Sequence, residues 1–162
     1  MHVRLAEPAD AEAIRAIYNA EVTTSTSTFD QVPRTVAEQQ TWMAEHAGTH
    51  PAVVAVDDDG AVAGFGSLSP FRDRPSYATT VENSVYVAAD RRGRGVGRLL
   101  LDELVRLGTL HGFHAVIARI GGGNDASIAL HAACGFETVG IEREVGRKFN
   151  RWLDVIVMQR ML

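Results

Sequence analysis

Between residues 79 and 110 the chain changes its hydrophobic period once, and that change constrains the fold more than any other feature. Thr79 to Val87 alternates, with Val81, Val85 and Val87 on one side and Thr80, Glu82, Ser84 and Tyr86 on the other, the pattern of a strand. From about Gly95 to Leu110, Val96, Leu100, Leu104 and Leu107 recur at helical spacing, and Gly112 supplies a C-terminal stop. Arg92-Gly93-Arg94-Gly95-Val96-Gly97 joins the two. A glycine-rich turn between a strand and a helix exposes consecutive backbone amides at the positive end of the helix dipole, which is what a phosphate needs. The segment lacks the Gly-Lys-Ser/Thr of a Walker loop, and its glycines miss the G-x-G-x-x-G spacing of a dinucleotide fingerprint. Spacing alone also allows a surface turn with solvated arginines.

The remaining segments are predicted as follows. His2 to Ala6 reads as a strand, and Pro8-Ala9-Asp10 opens a helix that ends near Glu21, with Ile14 and Ile17 on its apolar side. The hydroxyl-rich stretch from Thr23 to Thr28 reads as a loop. Thr35-Val36-Ala37-Glu38 fits a capping box for a helix to about Glu45. Ala52–Val56 and Ala61–Leu68, joined by Asp57-Asp58-Asp59-Gly60, form a hairpin. Ala115 to Ile120 is a strand, Gly121-Gly122-Gly123 a turn, and Asn124 caps a short helix through about Cys134. Phe136–Glu144 and Trp152–Met161 close the chain as strands with a polar loop between them. This order gives an α/β (α+β) class, with an antiparallel-rich sheet flanked by helices, in a single domain over residues 1–162.

Composition narrows the function classes. The 46% apolar and 22% charged content over 162 residues is that of a globular chain, not a disordered one. No run nears the roughly 18 apolar residues of a membrane span. The opening Met-His-Val-Arg-Leu-Ala-Glu has no signal-peptide core, so the cytoplasm is the expected location. A net charge of −4 argues against nucleic-acid binding. Yet Asp90 to Arg98 carries Arg91, Arg92, Arg94 and Arg98 against one acid, a local surplus suited to a specific anionic ligand. Cys134 is the only cysteine, and His131 three residues before it has no further ligands nearby in sequence, so neither a disulfide nor a metal site is expected.

Taken together, the motifs resemble a known superfamily. Arg92-x-x-Gly95-x-Gly97 after Val85-Tyr86-Val87 is similar to the acyl-CoA pyrophosphate loop of the GNAT superfamily of N-acetyltransferases. Asn124, Leu130-His131 and Gly135-Phe136 resemble its second CoA segment. Thr24–Phe29, Pro70–Arg74, Val81–Val87, Ile120–Asp125 and Trp152–Val155 are similar to the phosphinothricin and methionine sulfone (sulfoximine) acetyltransferase branch. That resemblance implies the acyl-CoA N-acyltransferase fold and acetyl-CoA as cosubstrate, with no metal. It also implies a homodimer, and acetylation of the α-amino group of a small amino-acid analogue.

The same resemblance implies roles for individual residues. By alternation alone Glu82 reads as a surface glutamate on an edge strand; the branch makes it the general base that takes the ammonium proton, directly or through a water. His131 alone reads as a helix histidine with its partners satisfied. The branch has histidine where many superfamily members carry a tyrosine, so acid and thiolate stabiliser both fit, and Ser127 lies four residues earlier on the same helical face. The amides of Gly93, Arg94, Gly95, Val96, Gly97 and Arg98 would hold the pyrophosphate, and Asn124 would meet the pantetheine. A backbone amide near Val87, at the end of Val85-Tyr86-Val87, would face the oxyanion. For the acceptor, Arg72 and Arg74 at i, i+2 could grip a carboxylate and a second anionic or polar group, although they also fit a solvated pair around Asp73. Tyr77 matches a further substrate position. Lys148, with Phe149, Asn150 and Trp152, lies in a loop that closes over the acceptor, and Phe29 walls the other side. Transfer is expected to be direct, since Cys134 is expected to be buried. The alternatives are another amine (a polyamine, an aminoglycoside or a protein N-terminus) or a non-catalytic CoA-binding sensor.

Overall fold

The computed structural model describes residues 1–162. Its strands are β1 (His2–Leu5), β2 (Ala52–Val56), β3 (Val62–Pro70), β4 (Thr80–Val87), β5 (Ala115–Gly121), β6 (Glu137–Lys148) and β7 (Arg151–Met161). The helices are α1 (Ala11–Thr24), α2 (Val36–Glu45), α3 (Val96–Leu110) and α4 (Asp125–Ala133). All seven strands form one sheet in the order β1-β2-β3-β4-β5-β7-β6. Every neighbouring pair is antiparallel except β4–β5. This is the mixed, mostly antiparallel sheet with flanking helices that the element order implies.

Both faces of the sheet are covered at β2, which explains why that strand is a continuous apolar run rather than an alternating one. Val53 and Ala55 face α3 and join Leu100, Leu101 and Leu104, whereas Val54 and Val56 face α1 and join Ile14, Tyr18 and Phe65. α3 lies close over β3 because Gly66 has no side chain; a Cβ there would stand 2.9 Å from Leu104 Cδ1. At α2 the capping box is formed as expected. The Glu38 amide donates to Thr35 Oγ1 at 3.1 Å and the Thr35 amide to Glu38 Oε2 at 2.7 Å.

The parallel junction creates the cleft. β4 and β5 pair only at Thr80↔Ala115, Val81↔Val116 and Glu82↔Ile117, after which each strand continues unpaired with the other, to Val87 and Gly121. The sheet therefore opens like a V at its centre.

Two expectations need correction. α1 runs on to Thr24 instead of ending near Glu21, because Thr23 and Thr24 bond back to carbonyls of the preceding turn and the helix stops only at Ser25. The polar loop expected between the last strands is a two-residue turn. β6 extends to Lys148 and β7 begins at Arg151, with Phe149 and Asn150 at φ +50° and +59°, the left-handed pair of a tight hairpin. Register shifts at Thr138/Gly140 and Glu142/Gly146 break the alternation of β6, which hides its second half from a period-two reading.

Candidate active site

The V holds a cleft of about 520 Å³. The Ala88 amide donates to Ala63 O at 2.9 Å, just beyond the Val87↔Gly64 pairing, so Val87 and Gly64 form a non-hydrogen-bonded pair. Stepping back by two, Val85 has the same orientation. The N–H groups of Val85 and Val87 thus turn away from β3 into the gap that β5 has left.

One end of the gap is the glycine turn. Gly93 and Gly95 adopt φ of +73° and +79° in open space, a conformation that costs a residue with a Cβ about 1–2 kcal/mol. Gly95 caps α3, and the first helical bond runs from the Leu99 amide to Gly95 O at 3.1 Å. No backbone acceptor takes the amides from Gly93 to Arg98, so a row of donors lies at the positive end of a fifteen-residue helix. Gly93, Gly95, Val96 and Gly97 line the cleft. The Arg94 and Arg98 side chains do not: Arg94 is exposed, and Arg98 turns to Asp102 at 2.7 Å. Gly97 also lets α4 close in, since a Cβ there would sit 3.0 Å from Leu130 Cδ2. The Arg92 guanidinium folds back to Glu21 and to Val87 O instead of reaching outward.

Alternation along β4 separates two functional side chains. Glu82 shares the α1 face with Ser84 and Tyr86, while Asn83 shares the α3 face with Val81. Both line the cleft, because the splay opens the sheet between its faces. β4 is a central strand, so the edge-strand reading of Glu82 is wrong; its access to the cleft comes from the divergence of β5. Glu82 is half-buried and accepts no hydrogen bond from the protein. Burial pushes its carboxyl above the usual carboxylate range, Arg119 and then Arg72 pull it back, and Glu142 adds to the upward push.

His131 is buried, and both ring nitrogens have partners. Asn83 Nδ2 donates to Nε2 at 2.9 Å, and Nδ1 lies 2.8 Å from Ser127 O. A carbonyl can only accept, so the proton sits on Nδ1 and the ring is neutral, a tautomer assigned from these partners. Burial pushes the imidazole below its ordinary value, in the same direction. In this state the nitrogen nearest Asn83 has no proton to give, and the pair offers the cleft the Asn83 carboxamide, whose Oδ1 is buried without a partner. Asn124 caps α4 through Oδ1 to the Ser127 amide at 3.1 Å. Cys134 is buried as expected and lies outside this cleft, and burial pushes its thiol up to about 11. No group of three or more His, Cys, Asp or Glu side chains is placed to hold a metal ion.

The profile of a family described as an acetyltransferase (GNAT) domain matches residues 3–157. The chain belongs to the GNAT family. It is therefore an acyltransferase. It is 41% identical over 158 residues to an L-methionine sulfoximine/L-methionine sulfone acetyltransferase of Pseudomonas aeruginosa, covering 97% of this chain and 92% of that one. Among solved structures it resembles a GNAT phosphinothricin acetyltransferase from Sinorhizobium meliloti in complex with acetyl-CoA, at TM-score 0.96 and 42% identity, over 99% of this chain and 87% of that one. A ribosomal-protein-alanine N-acetyltransferase from Brucella melitensis matches over the whole of both chains at TM-score 0.96 and 39% identity.

In this GNAT enzyme the residues expected at the acceptor divide into two groups. Phe29 lines the cleft and lies over Gly146, where a Cβ would come within 2.3 Å of Phe29 Cε2. Arg72, Arg74 and Tyr77 stay exposed on the segment after β3, outside the cleft lining; Tyr77 meets Phe71 edge-on, and Arg72 is near enough to Glu82 to shift it. Lys148 is not presented to the cleft as expected. Its ammonium is buried and donates to Thr28 O at 2.8 Å, tying the hairpin tip to the loop after α1.

Three cleft residues escaped the sequence analysis, and each had a signal. Asn83 is a polar residue on the Val81/Val85/Val87 face. Glu21 stands one helical turn after Tyr18 on the core side of α1. Arg119 interrupts the apolar run of β5, where it pairs with Glu142.

Proposed function

We propose that this chain transfers the acetyl group of acetyl-CoA to the α-amino group of a small amino-acid analogue of the phosphinothricin or methionine sulfone (sulfoximine) type. It acts as a single cytoplasmic domain over residues 1–162, needs no metal, and works by direct transfer in a ternary complex. The observation that carries this is the gap itself, with an unpaired half-buried carboxylate on one flank and free main-chain donors on the other.

In this mechanism the amides of Gly93 to Arg98 and the N-terminus of α3 bind the pyrophosphate. Asn124, Ser127 and the strand Val85-Tyr86-Val87 bind the pantetheine arm. Glu82 takes one proton from the ammonium of the acceptor, and a carboxyl raised toward working pH is the better base for that step. The neutral nitrogen attacks the thioester carbonyl carbon. The N–H groups of Val85 and Val87 stabilise the oxygen as charge develops on it. The C–S bond then breaks, and the second surplus proton of the nitrogen leaves with the sulfur as thiol. His131 holds the Asn83 carboxamide at the thiol side of the gap. Arg72, Arg74, Tyr77 and Phe29 contact the acceptor, and the tie from Lys148 to Thr28 stiffens that wall.

The exposed apolar side chains of Val139, Ile141, Val145 and Trp152 on β6 and β7, each more than half exposed, support a homodimer through this hairpin.

The test is thiol release from acetyl-CoA against phosphinothricin, methionine sulfone, methionine sulfoximine, glutamate, methionine, spermidine and a peptide N-terminus. Saturable turnover on the first three supports the proposal. Turnover on the peptide alone would move the acceptor to the class named for the Brucella relative. Acetyl-CoA binding without turnover on any amine would make the protein a sensor.

A further inference from the structure

The reaction above leaves one buried carboxylate of the cleft wall without a role. Glu21, in the last turn of α1, is 6% exposed, and both its oxygens are engaged. Arg92 Nη2 donates to Oε1, across 71 residues of sequence. Ser25 Oγ donates to Oε2 at 2.5 Å. Arg92 belongs to the glycine turn of the donor half, and Ser25 begins the loop that walls the acceptor half.

From Ser25 the connection continues. Ser25 Oγ accepts the Ser27 amide at 3.1 Å, and Ser27 Oγ accepts Asn124 Nδ2 at 3.4 Å. Thr28 Oγ1 lies 3.0 Å from Tyr18 Oη, and its carbonyl takes Lys148. Thr26 O packs where a Gly121 Cβ would stand, at 2.5 Å, so the loop rests directly on the end of β5. A buried carboxylate that loses a partner is costly, so Arg92 and Ser25 are held to it together. The Arg92 side chain is nevertheless 55% exposed, and its Nη1 has no protein partner. A pyrophosphate can take Nη1 while Nη2 stays on Glu21.

We propose that Glu21 is a positioning residue that couples the two halves of the cleft: pyrophosphate engagement of Arg92 is transmitted through Glu21 to Ser25 and fixes the Ser25–Phe29 wall for the acceptor. This rests on the acetyltransferase reading of the cleft. Coupling of this kind is reciprocal, so acceptor must tighten CoA by the factor by which CoA tightens acceptor.

The test measures methionine sulfone binding to the full chain by calorimetry, with and without saturating CoA, in wild type, Ser25→Ala and Glu21→Gln. Wild type should bind the acceptor at least about fivefold tighter with CoA present, as expected for a modest coupling. In Ser25→Ala that ratio should fall below about twofold while the Kd for CoA alone stays within about twofold. Glu21→Gln should lose the ratio and also weaken CoA, since Arg92 loses its anchor. A purely structural role would change both acceptor constants and leave their ratio intact. A ratio retained in both variants, or absent in wild type, overturns the proposal. Should Glu21→Gln fail to fold, Ser25→Ala decides. Wild-type turnover on methionine sulfone with an unchanged ratio sinks the coupling alone. If wild type neither binds nor acetylates methionine sulfone, the acceptor assignment fails and this proposal with it.

Discussion

In the proposed mechanism the donor half of the cleft is built from main chain and the acceptor half from side chains. Residues 85–98 supply the donor side almost alone, through the amides of Val85, Val87 and Gly93 to Arg98. The acceptor side of that proposal draws Phe29 from the loop after α1 and Arg119 from β5, with Arg72 outside the lining and the tip of the β6–β7 hairpin tied to the wall through Lys148 and Thr28. Main-chain donors need only a local turn and a helix end, so a short segment suffices for an invariant ligand. Side chains that select a variable ligand must come from distant segments, and their positions depend on how those segments dock.

Four predictions would break or sharpen that contrast. The largest effect belongs to Glu82→Gln, which should lower kcat/KM by on the order of 10²–10⁴, the usual span for a lost general base. The KM for acetyl-CoA should hold, as measured by steady-state thiol release. Activity within tenfold of wild type would remove Glu82 from the proton step.

A pair of glycine substitutions should then separate the halves. Gly95→Ala introduces strain of about 1–2 kcal/mol at a left-handed position and should weaken acetyl-CoA roughly 5- to 30-fold with little change in acceptor KM. Gly146→Ala places a Cβ within 2.3 Å of Phe29 Cε2, so the acceptor wall must shift. Its acceptor KM should rise while acetyl-CoA affinity, measured by calorimetry, is kept. Cross-over effects larger than the modest coupling proposed through Glu21 would mean that the two halves are not built from separate segments.

The pH profile offers a finer probe. Because burial holds Glu82 above the usual carboxylate range, the acid limb of kcat/KM should lie above that range as well. Arg119 and Arg72 stabilise the charged carboxylate, so Arg119→Gln should move the limb to higher pH, and Arg72→Ala should do so by less. Movement of the limb to lower pH in one of these variants would mean that the arginine it removes does not stabilise the Glu82 carboxylate.

The smallest effect is expected from Asn83→Ala. Ser127 O holds the proton on Nδ1 of His131 and Asn83 Nδ2 donates to Nε2, so removing that donor should move the ¹⁵N shift of Nε2 while kcat falls only several-fold, the loss of one buried hydrogen bond. An unchanged ring spectrum would remove Asn83 as the partner of Nε2.

Much of this architecture was legible in the chain because its signals are local. The alternation of residues 79–87, the helical spacing from Val96 to Leu107, the capping box at Thr35 and the glycine turn each reside within one element, and each formed as read. Misreadings fell where local pattern is interrupted or a partner is remote. Bulges in β6 masked its extension to Lys148, and helix α1 ran past Glu21 on the strength of threonine bonds to its own carbonyls. Lys148 was expected over the acceptor because nothing in its neighbourhood of sequence names Thr28, which is 120 residues away.

Residue order by itself determined the strands, the helices and the row of amides at the start of α3, since periodicity and glycine conformation act over a few residues. Tertiary structure alone decided that β5 leaves β4 after Glu82. That divergence brings Glu82 and Asn83, on opposite faces of one strand, to a single cleft. The same packing sets Arg92 against Glu21 and Lys148 against Thr28. Which side chains meet across a sheet depends on register and splay, and these are fixed by the packing of the whole fold, not by any one segment of it.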